Sequence, residues 1–187
     1  MTTIHQIIRR LSTADKQSQL AQFLKQTDKD VTSTVYRGTL FELQTLTSLE
    51  KTTGMTLQHV GGKSDGGIDI RGRWFNDICI VIQCKNLKMG CTPDHIRQLM
   101  GTTVISSSKR TKTIGILSTI SHRHFTRDVL SHFNASTVPL GLATVQDTTL
   151  KSLMFNRKAQ AILKGLTITT QFDSQGNESV YIDIPSS

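Results

Sequence analysis

The sequence predicts a single α/β domain on a mixed central sheet, and three observations predict it. The stretches "ICIVIQCK" (78–85) and "TIGILST" (113–119) are apolar on both faces of an extended chain, the pattern of strands buried within a sheet. The segments around them carry apolar residues at helical spacing, so helices and strands alternate along the chain. At 187 residues the chain suits one core and is short for two. No internal repeat or low-complexity segment interrupts it. The boundary expected from these patterns separates a basic segment, 1–33, from one domain, 34–187.

Ile4, Ile7, Ile8 and Leu11 form one helical stripe beside Arg9 and Arg10, and no acid precedes Asp15. A basic, hydroxyl-rich, amphipathic start is the composition of a mitochondrial targeting peptide, the alternative being a short surface helix docked on the domain. The polar stretch 12–33 reads as a helix or linker. A helix is expected from Tyr36 to about Thr52, ended by Gly54, with Tyr36, Leu40, Leu43 and Leu46 inward. Glu42 lies in line with Leu46 and Leu49. A carboxylate on an inward row is costly without a cation beside it.

Strands are expected next near 56–60 and 68–74, separated by the loop "GGKSDGG" (61–67), and then at 78–85 after a turn at Asn76-Asp77. Thr92 and Pro93 read as the N-cap and first residue of a helix. The basic turn "KRTK" (109–112), the strand 113–119, a helix over 126–133 and a strand over 139–144 continue the alternation. A helix is expected from Asp147 to about Lys164. The end of the chain alternates like two strands around a Ser-Gln-Gly-Asn turn.

Twenty-two Lys and Arg against 14 Asp and Glu give a net charge of +8, which points to a polyanionic partner. Membrane insertion is not expected, because no apolar run approaches the roughly 18 residues that spanning requires. The three cysteines, Cys79, Cys84 and Cys91, form no Cys-x-x-Cys pair. Cys79 and Cys84 fall on opposite faces of one strand and cannot bridge, so free thiols in a reducing compartment are expected.

The strand 78–85 is apolar until its last residues. Gln83 and Lys85 then share one face at one end. The preceding strand offers Asp69 and the first helix offers Glu42, so three elements can bring two carboxylates, an amide oxygen and an ammonium to one spot. Oxygen ligands suit a hard divalent cation, and a lysine beside one suits stabilisation of an attacking water or a phosphorane-like oxygen. Phosphodiester hydrolysis fits those parts. His122 and His124, in "SHRHF", read as loop residues that help Arg123 meet phosphate, and "VGGK" lacks the spacing of a phosphate-binding P-loop.

Glu42 on a helix, then "SDGGIDI" with Asp69, then "IVIQCKN" with Gln83 and Lys85, resembles the Mrr-type branch of the PD-(D/E)XK restriction-endonuclease-like superfamily. In that branch Gln commonly replaces the second acid of the metal-binding signature. The resemblance runs from about Tyr36 to about Phe133 and includes "RQLMGT", read as a helix ending in Gly101. With its basic amino-terminal peptide, the longer pattern also resembles the fungal mitochondrial proteins required for respiratory growth.

The resemblance implies a three-layer α/β/α core with a mixed sheet, and a Mg2+-dependent endodeoxyribonuclease for which Mn2+ can substitute. It implies metal binding by Asp69, Gln83, Glu42 and the Cys84 carbonyl, and a catalytic set of Glu42, Asp69, Gln83 and Lys85. Asp65 is a weaker candidate. The partner implied is DNA, a duplex first, with a homodimer as one arrangement and mitochondria as the location. The alternatives are a catalytically silent nucleic-acid-binding module of the same fold and a nuclease that processes junctions or flaps.

Overall fold

The computed structural model describes residues 19–26, 30–61, 67–176 and 178–184. The segment expected to be a targeting peptide lies mostly outside the described residues, as does Asp65. A helical stretch at 19–24 precedes the main elements, and its Phe23 stacks on Tyr36 (centroids 5.0 Å apart).

Helix α1 (Thr34–Thr53) starts at Ser33, whose hydroxyl accepts from the Tyr36 N–H, and ends at Gly54. Strands β1 (Thr56–His59), β2 (Ile70–Arg73) and β3 (Cys79–Lys85) follow, the last two joined by a tight turn at Asn76 and Asp77. Helix α2 (Pro93–Ile105), strand β4 (Thr113–Thr119), helix α3 (Arg127–Ala135) and strand β5 (Leu140–Gln146) complete the alternation. The sheet order is β1-β2-β3-β4-β5-β6, where β6 is Thr149–Phe155, parallel at β3–β4 and β4–β5 and antiparallel elsewhere. This is the mixed α/β sheet the sequence predicts.

Two packed layers flank the sheet. On one face Phe41, Leu46 and Leu49 of α1 meet Ile70, Ile80, Ile82, Ile114 and Ile116. On the other, Ile96 and Leu99 of α2 and Val129 and Phe133 of α3 meet Leu117, Leu140 and Leu142. A Cβ on Gly115 would stand 2.1 Å from Thr103 Oγ1, so only glycine lets α2 seat this closely on β4.

Two expectations fail. The stretch 147–164 is not one helix: Thr149–Phe155 is strand β6, paired antiparallel with β5, and only Arg157–Ile162 is helical (α4). Likewise α2 does not end at Gly101 but runs four residues further, because an exposed helix-interior glycine weakens a helix without breaking it. The last two strands, β7 (Thr167–Phe172) and β8 (Glu178–Asp183), form a separate two-stranded sheet. Among the described residues no helix is long and apolar enough to cross a membrane.

Candidate metal centre at the end of the third strand

Strands β3 and β4 run in parallel from Cys79↔Thr113 to Lys85↔Thr119. Their carboxyl ends, the loop from β3 into α2 and the loop after β4 therefore gather at one end of the sheet. In open α/β sheets that end is where ligands bind.

The β2–β3 ladder stops at Ile70↔Ile82. Two residues further along β3, the Cys84 N–H donates to Asp69 Oδ2 (2.6 Å) instead of to a main-chain carbonyl. Asp69 is itself anchored, its N–H donating to the Ile82 carbonyl and its carbonyl accepting from Val60, both at 2.9 Å. The carboxylate is thus fixed where the two strands part. Burial pushes the Asp69 carboxyl above its ordinary value of 3.8, the Cys84 N–H opposes that rise, Glu42 adds to it, and Lys85 and His59 oppose it. Glu42, Lys85 and His59 all lie within electrostatic range of one carboxylate. The predicted convergence of three elements is present.

Gln83 is 4% exposed, and its Oε1 is buried with no hydrogen-bond partner among the described residues. A buried carbonyl oxygen left unpaired costs about 1–3 kcal/mol, so it calls for a donor or a cation. Gly67 lies against this amide, with φ of +79°. A Cβ there would stand 2.7 Å from Gln83 Nε2, so both the backbone conformation and the space require glycine. Gly67, the last residue of the Gly-rich approach, is thus a wall of the site.

Lys85 is half-buried. Besides acting on Asp69 it helps lower the pKa of His95, for which burial is the larger cause. Its ammonium is therefore within electrostatic range of both the Asp69 carboxylate and the start of α2. The α2 start is pinned by the Thr92 N–H donating to His95 Nδ1 (2.9 Å). The Cys84 side chain takes the opposite face, packed on the α1 side of the core. Burial, then Asp69, push its thiol well above the ordinary 9.0, so it is a core thiol and not a nucleophile. All three cysteines are free, as expected.

Glu42 has a hydrogen-bonding partner at its inward position. His59 Nε2 lies 2.6 Å from Glu42 Oε2, with the side chains 24% and 18% exposed. The sequence reading missed His59. The signal was there: Leu57 and His59 share a face of β1, one buried and the next polar at the strand's end, the same pattern that singled out Gln83 and Lys85.

Among the described residues no group of three or more His, Cys, Asp and Glu side chains is arranged to hold a metal ion. The oxygen set is mixed instead: the Asp69 carboxylate, the orphan Gln83 Oε1, the Cys84 carbonyl and Glu42 behind them. That composition fits Mg2+, which is held by one or two carboxylates with water and substrate phosphate completing its shell.

The two basic stretches separate. His122–His124 follows β4 at the site end, where the Cys91 N–H donates to the His124 carbonyl and Thr119 Oγ1 lies 2.9 Å from His124 Nδ1. The turn Lys109–Lys112 lies at the opposite end, its Lys112 carbonyl accepting from Cys79.

The chain matches the family described as Required for respiratory growth protein 7 over residues 33–75 and 75–167. It belongs to that family. The matched span holds Glu42, His59, Asp69, Gln83 and Lys85 and stops where the β7–β8 hairpin begins. An uncharacterised mitochondrial protein of Schizosaccharomyces pombe is 34% identical, with 73% of this chain and 57% of the relative covered. The Required for respiratory growth protein 7 of Saccharomyces cerevisiae is 27% identical (63% and 68% covered), and that of Lachancea thermotolerans 29% (58% and 59%). The chain thus spans between about half and two thirds of the length of these relatives. All three are named mitochondrial, which is the localisation expected from the sequence. No solved structure matches the chain.

Proposed function

We propose that this family member is a divalent-metal-dependent endodeoxyribonuclease of the PD-(D/E)XK superfamily, close to its Mrr-type branch, acting on DNA in mitochondria. One observation carries the reading: at the end of β3 a fixed carboxylate, Asp69, stands with a buried amide oxygen, Gln83 Oε1, that has no partner among the described residues, and with Lys85 beside them. Mg2+, or Mn2+ in its place, would be held by Asp69, Gln83 Oε1 and the Cys84 carbonyl, with Glu42 completing the shell directly or through water. When bound, the ion supplies Lewis-acid activation of the phosphodiester and offsets charge that builds in the transition state.

The chain's own residues do the rest. His59 holds one oxygen of Glu42, Oε2, and so fixes the carboxylate behind Asp69. Asp69, tied to the β3 backbone, orients the reacting centre without a further change of conformation. Lys85 donates to the attacking water and to the charge that develops on the phosphorane-like oxygens. The water oxygen bonds to phosphorus and gives up one proton to solvent, the bond to the leaving oxygen breaks, and that oxygen takes up a proton from solvent in its place.

A second reading has an observation in its favour. Among the described residues no three or more His, Cys, Asp and Glu side chains gather to hold a metal, which suits a nucleic-acid-binding module that no longer cleaves. Incubating the purified protein with plasmid, duplex, junction and flap substrates, with and without Mg2+ or Mn2+, decides between them. Cleavage that needs metal supports the nuclease. Binding with no cleavage under any metal supports the silent module.

A further inference from the structure

The sheet face that carries Gln83 and Lys85 continues beyond the site onto β2 and β1. Register pairs Arg71 with Val81 and Arg73 with Cys79, and sets Gln58 and Thr56 beside those arginines on β1. Alternation along β3 places Cys79, Val81, Gln83 and Lys85 in one row, so both arginines belong to the face of the site. On this face α2 and α3 cover β4 and β5, while Thr56, Gln58, Arg71 and Arg73 are exposed. These four residues line a concavity of about 590 Å3, bordered by Gln19 and Cys79.

The charge on this face is unbalanced. Arg71 forms no ion pair among the described residues. Arg73 meets Asp77 at 3.0 Å, but both side chains are more than half exposed, and such a pair is weak and yields to a phosphate. Where the row ends at Cys79, the Lys112 carbonyl accepts from the Cys79 N–H, so the exposed basic turn 109–112 begins there. Cations thus run from Lys85 past Arg71 and Arg73 to that turn, a length of about 20 Å at ~3.3 Å per strand residue.

We propose that one strand of a DNA duplex lies along β2 on this open face. A phosphate sits over the Asp69–Gln83–Lys85 end, successive phosphates meet Arg71 and Arg73, and the strand leaves over the turn 109–112. Alternate strand residues are about 6.7 Å apart, close to the spacing of successive phosphates along one nucleic-acid strand, and a guanidinium fork suits phosphate. The placement of the first phosphate rests on the nuclease reading; the arginine track does not.

The test is fluorescence anisotropy of the full chain with a labelled duplex in EDTA, across a range of salt, so that binding is read without cleavage. Each phosphate contact contributes about 0.9 to the slope of log affinity against log salt. Replacing both arginines (Arg71→Ala with Arg73→Ala) should therefore lower that slope by about 1.8. Arg71→Lys with Arg73→Lys should largely restore it. Removing two charges at the other sheet edge, Lys158→Ala with Lys164→Ala, should leave it unchanged. A slope equal to that of the Lys158/Lys164 pair overturns the track, and so does a wild-type protein that binds no duplex at low salt. A lowered slope in a protein that never cleaves leaves the track standing and removes the nuclease reading. Metal-dependent cleavage with an unaltered slope does the reverse.

Discussion

Gln83→Met separates a metal ligand from a core residue. Gln83 is 4% exposed and its Oε1 has no partner among the described residues, so the folded protein carries the desolvation of that oxygen, about 1–3 kcal/mol. Methionine has nearly the same volume and no polar atom to desolvate, and such near-isosteric swaps lose less than about 1.5 kcal/mol to repacking. The metal-free variant should therefore be more stable than wild type by about 1 kcal/mol, or roughly 2–4 °C in Tm for a chain of this size. A metal that binds only the folded state raises Tm according to its concentration relative to Kd, so the wild type should gain with added Mg2+ or Mn2+. The variant should lose most of that gain. Differential scanning fluorimetry with EDTA and with a Mn2+ series reads both quantities. Gln83→Glu gives the opposite pattern: a third carboxylate near Asp69 and Glu42 destabilises the metal-free protein, and Mn2+ restores it. A metal-free Gln83→Met that is less stable, with an undiminished Mn2+ shift, would refute the reasoning.

The Glu42–His59 contact should show as a coupling. Hydrogen bonds to charged groups contribute about 1.5–3 kcal/mol, and the partial exposure of both ends brings the expected value to about 1 kcal/mol in a double-mutant cycle of Glu42→Gln and His59→Ala read by urea unfolding. Additive losses would show that the pair is not a unit. Burial raises the thiols of Cys84 and Cys91 above 9.0, so iodoacetamide at pH 8 should leave both unmodified until the protein is unfolded; rapid alkylation of the native state would contradict the packing. The same raised values mean that the folded chain holds these protons more tightly than the unfolded chain does. Their contribution to stability is complete below about pH 9 and is lost as pH rises through the folded-state values, which a pH series of melting curves would show.

Much of this was legible because it rests on period. The apolar run of β3 and β4, the stripe of α1 and the polar end of β3 follow from alternation and helical spacing, whereas Glu42, Asp69, Gln83 and Lys85 were joined into one set by the order of the motifs and not by period. Strand β6 was misread for a specific reason. Leu150 and Leu153 lie three apart, as on a helix, yet both are buried in a strand. Pairing shifts from Val145↔Leu150 to Thr144↔Ser152, so Lys151 is an extra residue that turns Leu150 onto the face of Leu153. A bulge imitates a helical period, and local sequence does not distinguish the two. The row of Arg71 and Arg73 was equally hard to see, since its importance comes from register with β3 and from α2 and α3 covering β4 and β5 instead. His59 needed only the strand-end test already applied to Gln83.

The most direct test of the central claim is the single-turnover cleavage rate of Lys85→Ala at saturating Mn2+, with Mn2+ affinity measured on the same protein. Lys85 is assigned to the transition state and not to coordination. The account predicts a rate at least 100-fold below wild type, the scale on which lost electrostatic stabilisation of a transition state is felt, with metal affinity largely unchanged. Asp69→Ala should lose both metal affinity and cleavage. Wild-type cleavage by Lys85→Ala and Asp69→Ala alike would contradict the account, because hydrolysis would then belong to some other part of the molecule.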